Sequence, residues 1–234
     1  VLNSTARNNY MIHRMARILK RTVWALGEQI RKGLFTPENY EISFSSVSDL
    51  ESINIELSPE ERLKLRGRID RVDTCEDGEH VYVKVIDYKS GNTSFQLLSL
   101  YHGLQLQLVI YLNAAMELMK KEHPDKEVLP AGVLYYQLQD PVLDTDGEEA
   151  DVTARVLEKL KPNGLINADP EIIQRLDQSM PGRSQVLPIA YNKDGSLRAG
   201  SSVASSGQFA ALSRYVNRKI RKIGSEVLDG RMDV

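Results

Sequence analysis

The chain has 234 residues, of which 41% are hydrophobic, and it carries a net charge of −2 at pH 7. Such a length and apolar content suit one large domain, or one domain with a substantial insertion, built around a buried core. No apolar run reaches the roughly 18 residues of a membrane span, no secretory signal is visible, and the single cysteine, Cys75, excludes an internal disulfide, so we expect a reducing, cytoplasmic compartment without membrane partners.

A long helix is predicted over residues 4–32, because apolar side chains recur at helical spacing and Gly33 can end it. The apolar positions are Met11, Met15, Ile18, Val23, Leu26 and Ile30. His13 lies among arginines and is interpreted as a surface histidine. Basic side chains crowd this segment and the last one, and each set is either a solvated face or a track for phosphates. The two sets are Arg7, Arg14, Arg17, Lys20 and Arg21, and then Arg214, Arg218, Lys219, Arg221 and Lys222.

Three consecutive strands are predicted next, as a meander. The first covers residues 40–44, and a polar connection follows over 45–59. Residues 63–73 alternate apolar and polar side chains like a half-buried strand, whereas residues 81–86 are typical of a fully buried one. The polar turn 75–79 joins these two strands, so we expect them to pair as an antiparallel hairpin.

Charged side chains lie on both strands of this hairpin. Asp87 and Lys89 are two positions apart on a strand and therefore share a face. On this pair alone, a strand-end ion pair before the Ser90-Gly91 turn is the simpler interpretation. The hairpin brings Asp70 alongside, and two carboxylates are ligands for a hard cation such as Mg²⁺. Beside them, a lysine can orient an attacking water or neutralise phosphoryl charge.

A helix over residues 97–121 and a strand over 131–139 complete the predicted core. The helix carries one apolar stripe: Leu97, Leu100, Leu104, Leu108, Tyr111, Ala115 and Leu118. Gly103 inside it is unfavourable by about 1 kcal/mol relative to Ala, unless the helix starts later. Gln107 and Tyr111 share a face. Either Tyr111 lies in the core with Gln107 filling a polar gap, or the two support the site.

Residues 144–234 are predicted to form an extension on a core of residues 1–143. Residues 144–149 (DTDGEE) are interpreted as a turn, because a calcium loop needs further ligand positions. Short helices are expected over 152–160 and 170–177, around a turn at 162–164, and a hairpin over 186–191 with the stretch after 195. A capping box, Ser205-x-x-Gln208, opens a last amphipathic helix that Gly230 ends and that packs on the core.

Asp70 followed by Asp87-Tyr88-Lys89 resembles the D…(D/E)XK signature of the restriction-endonuclease-like nucleases. The stretches GRIDRVD, VIDYKSG and YHGLQLQLVIYL resemble the RecB-type branch and are most similar to the C-terminal nuclease domain of the AddB (RexB) family. The likeness is clearest over residues 60–140. It implies an α/β fold with a restriction-endonuclease-like core, α-β-β-β-α-β, whose mixed sheet is flanked by helices. The periodicity predicts the same element order independently.

The resemblance also implies a function. Family members are Mg²⁺- or Mn²⁺-dependent exodeoxyribonucleases of a bacterial helicase–nuclease, which acts on DNA in double-strand break repair and recombination with an AddA (RexA)-like helicase subunit. The resemblance implies that the catalytic residues are Asp70, Asp87 and Lys89. The metal ligands would be Asp70, Asp87 and the backbone carbonyl of Tyr88. Gln107 and Tyr111 would support the site or touch the DNA.

Other family features are expected outside this sequence, which begins at Val1 and is interpreted as a fragment. The AddB family carries an iron–sulfur cluster, whose cysteines are expected upstream and just beyond the last residue. A motif histidine near the metal is expected upstream. We therefore expect this segment by itself to be a poor nuclease, the more so because its near-neutral charge gives little attraction to phosphates.

The alternative is a nuclease-like fold used only as a DNA-binding or scaffold module. Such modules lose the acids or the lysine, and all three are present here, which favours the enzyme. An unrelated domain with ordinary surface carboxylates would leave the coupling of GRIDR with DYKSG unexplained.

Overall fold

A mixed sheet of six strands forms the centre of the computed structural model, which describes residues 5–142, 149–180 and 182–231. The described helices are α1 (Ala6–Lys32), α2 (Leu97–Tyr101), α3 (Gln107–Glu122), α4 (Glu149–Lys159), α5 (Pro170–Leu176) and α6 (Ser206–Leu228). The strands are β1 (Thr36–Ser43), β2 (Asn54–Glu56), β3 (Arg62–Lys64), β4 (Arg68–Glu76), β5 (His80–Lys89), β6 (Glu127–Gln137), β7 (Asn163–Asn167) and β8 (Val203–Ala204). Among the described residues, no helix is both long enough and apolar enough to cross a membrane.

The predicted α/β core is confirmed. The sheet has the order β1-β4-β5-β6-β7-β8, and β1, β4 and β5 pair antiparallel as the predicted meander. The next pair, β5 and β6, is parallel. A parallel pair requires a crossover, and α2 and α3 supply it. The small β2–β3 hairpin is inserted between the first two strands of the meander.

Each face of the sheet carries its own apolar core. On one face, Val72, Val83 and Val85 pack against α3 through Leu108 and Leu112. On the other face, the side chains of β5 and β6 pack against α1, α4 and α5. A third cluster joins α3 to α6 through the side chains of Val109, Val216 and Ile220. The α3 face is the one that matters for the site, because Asp87 and Lys89 follow Val85 in alternate positions along β5.

The prediction of one helix over residues 97–121 is wrong in its first half. Gly103 has a φ of +87°, in the left-handed region that ends a helix, so α2 stops at Tyr101 and α3 begins at Gln107. The predicted apolar stripe is broken as a result: Leu100, Leu108, Tyr111 and Ala115 are buried, but Leu97 and Leu104 are exposed.

The connection predicted as polar over residues 45–59 is also wrong. It contains β2 and buries Leu50, Ile53 and Ile55, whose apolar side chains are scattered among polar ones without a regular period. The alternating stretch over 63–73 is two strands rather than one: β3 pairs with β2, whereas β4 begins at Arg68 and joins the main sheet.

The predicted first helix is confirmed for the described residues, with a side-chain cap at Thr5 and an end at Gly33. Gly33 is extended rather than left-handed. It is glycine because a Cβ there would lie 2.4 Å from the carbonyl oxygen of Leu176. The predicted apolar face is only partly correct, since Met11, Met15 and Val23 are exposed, whereas Leu26 packs against the core. His13 is exposed as predicted.

The predicted short helices in the C-terminal part are confirmed as α4 and α5, and the capping box of α6 is present. The turn predicted at residues 162–164 is wrong, because Asn163 and Gly164 belong to β7, which extends the sheet beside β6. The predicted hairpin after residue 186 is reduced to a single bridge, between Tyr191 and Leu197. Residues 144–148 of the predicted DTDGEE turn lie outside the described residues.

Candidate active site

The register of β4 against β5 determines how the predicted acids meet. Arg71 pairs with Ile86 and Val72 with Val85, and the next step of the same register sets Asp70 opposite Asp87. Directly opposed residues of an antiparallel pair point to the same face. Both carboxylates therefore lie on the face that α3 covers, beyond the apolar pair Val72 and Val85.

Asp87 is the more enclosed of the two acids, at 3% exposure. Its Oδ2 forms an ion pair with the Nζ of Lys89 at 2.6 Å. Among the described residues, no polar group other than Lys89 is a partner of this buried oxygen. A buried carboxylate oxygen in that state has capacity left for a further ligand.

Lys89 is held on two further sides. Its Nζ donates to the Oε1 of Gln107 at 2.9 Å and lies 5.4 Å from the centre of the Tyr135 ring. Gln107 in turn donates from Nε2 to the hydroxyl of Tyr111 at 2.7 Å. The two interpretations of this pair are therefore compatible: Tyr111 is buried in the core, and Gln107 connects it to Lys89.

The main chain of Tyr88 also belongs to the site. Its N–H donates to the Oδ2 of Asp70 at 2.8 Å, which orients the half-buried Asp70 carboxylate toward β5. Its ring lies on the opposite face, where the hydroxyl accepts a hydrogen bond from the guanidinium of Arg71. The peptide group, not the phenol, is thus the part of Tyr88 available to the site.

Burial raises the pKa of Asp87 above its ordinary value; the Lys89 ammonium opposes this effect and the Asp70 charge adds to it. Burial likewise raises the pKa of Tyr135 to about 12, with further contributions from Asp87 and Tyr111. The phenol of Tyr135 is therefore neutral at physiological pH. Like-charged and desolvated groups gathered in this way are typical of sites that bind a cation or perform chemistry.

Tyr135 is the site residue that the sequence analysis missed. It lies directly opposite Asp87 in the parallel β5–β6 pair, and it is buried. The sequence placed it in the fourth strand but offered no motif that would single it out. Only the β5–β6 register identifies it as a neighbour of Asp87 and Lys89.

A second buried group of charges lies on the other face of the same strands. Asp73 is fully buried, accepts a hydrogen bond from Nη2 of Arg71 at 2.7 Å, and pairs with the Nζ of Lys84 at 2.9 Å. Burial opposes ionisation of Asp73, but the Lys84 and Arg71 cations outweigh it and hold the pKa of Asp73 below its ordinary value. The charge of Asp73 is thus paired with the charges of Arg71 and Lys84 inside the group, and these ion pairs join β4 to β5.

One group of three potential metal ligands lies elsewhere in the described part of the chain. Glu38, Glu122 and His123 have ligand atoms within 4.8 Å of one another. Both glutamates are exposed, Glu38 accepts a hydrogen bond from Thr74, and His123 lies 3.5 Å from Glu76. The group adjoins the far end of β4 from Asp70 and contains none of the predicted site residues.

Comparison with known proteins agrees with this geometry. The model of the PD-(D/E)XK nuclease superfamily matches residues 2–232. Proteins named as the B-type subunit of an ATP-dependent helicase/deoxyribonuclease are similar as well: one from Lachnoclostridium phytofermentans is 40% identical over 99% of this chain, one from Clostridium botulinum 40% over 100%, and one from Thermoanaerobacter sp. 36% over 100%. The chain spans about a fifth of the length of these relatives, 20–21%. A family match over nearly all of the chain and a D…DXK constellation on one face of the sheet lead to one conclusion: the chain belongs to the PD-(D/E)XK nuclease superfamily.

Proposed function

We propose that this chain is the metal-dependent deoxyribonuclease domain of a bacterial helicase–nuclease. The observation that carries the proposal is the arrangement of Asp70, Asp87 and Lys89 at the end of the β4–β5 hairpin, with the Asp87–Lys89 ion pair at 2.6 Å. The names of the relatives support DNA as the substrate and a helicase as the partner, and the resemblance to the AddB family suggests a helicase of the AddA (RexA) type. Exonucleolytic cleavage, in double-strand break repair and recombination within the cytoplasm, belongs to the same proposal.

The donor set fits a hard divalent cation. It offers carboxylate oxygens from Asp70 and Asp87 and the carbonyl of Tyr88, which are the ligands that Mg²⁺ or Mn²⁺ accepts. Burial and the neighbouring Asp70 charge raise the pKa of the Asp87 carboxyl in spite of Lys89, so a cation bound by both acids would be favourable. Bound there, the cation would lower the pKa of a coordinated water and polarise a phosphoryl oxygen.

Lys89 is the group of this chain that we assign to the transition state. Its ammonium is held by Asp87 and Gln107 and is 26% exposed, so it can still reach a ligand in the site. A preorganised cation stabilises charge as it develops on a phosphate and orients the attacking water. Gln107 acts on Lys89 as a positioning residue, and Tyr111 positions Gln107.

The alternative function is an idle nuclease-like module that binds DNA or holds the complex together. The intact Asp87–Lys89–Gln107 chain of contacts favours the enzyme. A scaffold would gain nothing from burying Asp87 beside Asp70, since burial and the second charge both disfavour the ionised carboxylate.

The test is cleavage of linear DNA by the native protein that contains this chain, with Mg²⁺ and with EDTA. Wild type should cleave only with the metal, and Lys89→Ala and Asp87→Asn should each cleave at least about 100-fold more slowly. Lys121→Ala is a matched control. It removes another Lys–Asp ion pair, in which the Nζ of Lys121 lies 2.8 Å from the Oδ2 of Asp49, and this pair is exposed and contains none of the site residues. Undiminished cleavage by the Lys89 and Asp87 variants would establish the idle module instead.

A further inference from the structure

An exposed aromatic stack lies at the end of α2, which a short turn separates from Gln107, the residue that contacts Lys89. The ring of Tyr101, at the end of α2, is 60% exposed and stacks on the ring of Tyr215 from α6, with centroids 5.9 Å apart and planes 12° from parallel. The hydroxyl of Tyr215 donates to the main-chain carbonyl of Tyr101 at 2.6 Å, which holds the two rings together. The ring of His102 lies 5.3 Å from that of Tyr101 at 85° to it, so Tyr101 is held by two rings and still remains mostly exposed.

Cations on α6 surround this stack. Arg214, Arg218 and Lys222 follow one another at four-residue steps on the side of α6 that carries Tyr215 and Lys219. The side chain of Lys219 lies against the α2–α3 turn, since a Cβ added at Gly103 would be 3.1 Å from its Cε. Arg214, Arg218 and Lys219 make no ion pair with any residue in the described ranges, whereas Lys222 pairs with Glu226 at 3.6 Å.

The two segments that form this surface contain no acidic residue. Residues 88–116 and 195–225 lack Asp and Glu, although the chain as a whole has 32. The near-neutral net charge of the chain therefore conceals two segments that carry only positive charge. Such a surface attracts a polyanion, and its exposed ring adds a site where a base can stack.

The α2–α3 turn connects the aromatic stack to the proposed site, and hydrogen bonds hold this turn in place. Gln105, in the α2–α3 turn, accepts from the N–H of Gln96 at 3.0 Å and donates to the carbonyl of Ser94 at 2.9 Å, so it ties the turn to the loop that follows Lys89. The same turn ends at Gln107, which accepts from Lys89. A strand that crosses the stack is thereby led toward Lys89.

We propose that Tyr101, Tyr215 and the α6 cations Arg214, Arg218 and Lys219 form a binding surface for a single, unpaired DNA strand next to the hydrolytic site. This inference rests on the proposed function and specifies its substrate: bases that stack on Tyr101 must be unpaired. Tyr215 covers one face of Tyr101, the exposed remainder of the Tyr101 ring is the part that we assign to a base, and we assign the cations on α6 to the flanking phosphates.

Photocrosslinking tests the surface without any cleavage. Single-stranded DNA that contains 5-iodouracil is irradiated with the native protein in EDTA, and the crosslinked peptides are mapped. We expect crosslinks at Tyr101 and in the α6 segment around Tyr215, and we expect the Tyr101 crosslink to be outcompeted by unlabelled single strands rather than by blunt duplex. Crosslinks confined to other parts of the protein would overturn the proposal.

Steady-state kinetics of variants provide a second test of the binding surface. Tyr101→Ala should raise KM for single-stranded DNA about tenfold with kcat nearly unchanged, the usual effect of removing one stacking ring, and Tyr101→Phe should restore it. Tyr10→Ala is the matched control, because Tyr10 is also 60% exposed but lies near the start of α1. A plot of the logarithm of the binding constant against the logarithm of the salt concentration has a negative slope, and Arg218→Gln should make that slope shallower by about 0.7.

The outcomes separate the two proposals. A protein that crosslinks at Tyr101 but does not hydrolyse DNA retains the binding surface and loses the proposed catalysis. A protein that hydrolyses DNA with an unchanged KM in Tyr101→Ala keeps the catalysis and loses the surface. Leu98, on the same helix α2, is 69% exposed. If Tyr101→Ala and Leu98→Ser instead release a protein partner, with the α6 crosslinks unaffected, the surface is a protein interface and the DNA assignment is wrong.

Discussion

Removal of the Lys89 ammonium is the sharpest perturbation of the proposed site. Lys89→Ala deletes the ion pair to Asp87 at 2.6 Å, the hydrogen bond to Gln107 at 2.9 Å and the cation beside the Tyr135 ring. Loss of one preorganised charge-stabilising group lowers kcat by about 100- to 1,000-fold, or roughly 3–4 kcal/mol of transition-state free energy. We expect a loss of that size here.

The same change affects stability, and the two effects must be separated. Without Lys89, the Asp87 carboxylate is left almost fully buried with no cation among its described neighbours. Breaking a fully buried pair is unfavourable by about 3–5 kcal/mol, but Lys89 is 26% exposed and water can partly replace it. We therefore expect the free energy of unfolding in EDTA to fall by about 1–3 kcal/mol.

Divalent metal should reverse part of this loss. The variant site is more negative than the wild-type site, so its affinity for Mg²⁺ should be unchanged or greater. The assay combines single-turnover cleavage at saturating metal with thermal melts over a metal titration. Lys89→Arg should not restore cleavage, because a planar guanidinium cannot occupy the place of a compact ammonium. Cleavage within threefold of wild type, or a weakened response to metal, would refute the role given to Lys89.

Three further outcomes are expected. Asp87→Asn should abolish the stabilisation by Mg²⁺, which in wild type is about 1.4 kcal/mol when the metal is at ten times its dissociation constant; equal shifts in melts of both proteins would show that Asp87 is not a ligand. Asp73→Asn should lower the free energy of unfolding by about 3–5 kcal/mol in denaturant titrations at pH 7, because two cations stay buried without their anion. Since the folded pKa of Asp73 is depressed, this difference should be present above pH 4 and should shrink as the pH falls below about 4; a pH-independent difference would contradict the assignment. Gly33→Ala should destabilise by about 2–3 kcal/mol, because its Cβ would meet the Leu176 carbonyl at 2.4 Å, and an unchanged melting temperature would disprove that close approach.

Much of the proposed site follows from short-range regularities of the sequence. Side chains alternate along a strand, so Asp87-x-Lys89 had to share a face, and a polar turn between two apolar runs predicted the hairpin that sets Asp70 opposite Asp87. The spacing of four on a helix placed Gln107 beside Tyr111, where a hydrogen bond joins them. The capping box at Ser205 likewise depends on residues three apart and is present.

The tertiary structure decided the contacts between distant parts of the chain. Tyr135 reaches the site only through the parallel register of β5 and β6, and Lys89 meets Gln107 only because the crossover packs α3 on one face of the sheet. The strand at 163–167 was missed for the same reason, because this short strand is defined by its pairing with β6 on one side and β8 on the other. Local periodicity determines which way a side chain points. Which residues then face it depends on strand register and helix packing, and these are set by the burial of the whole core.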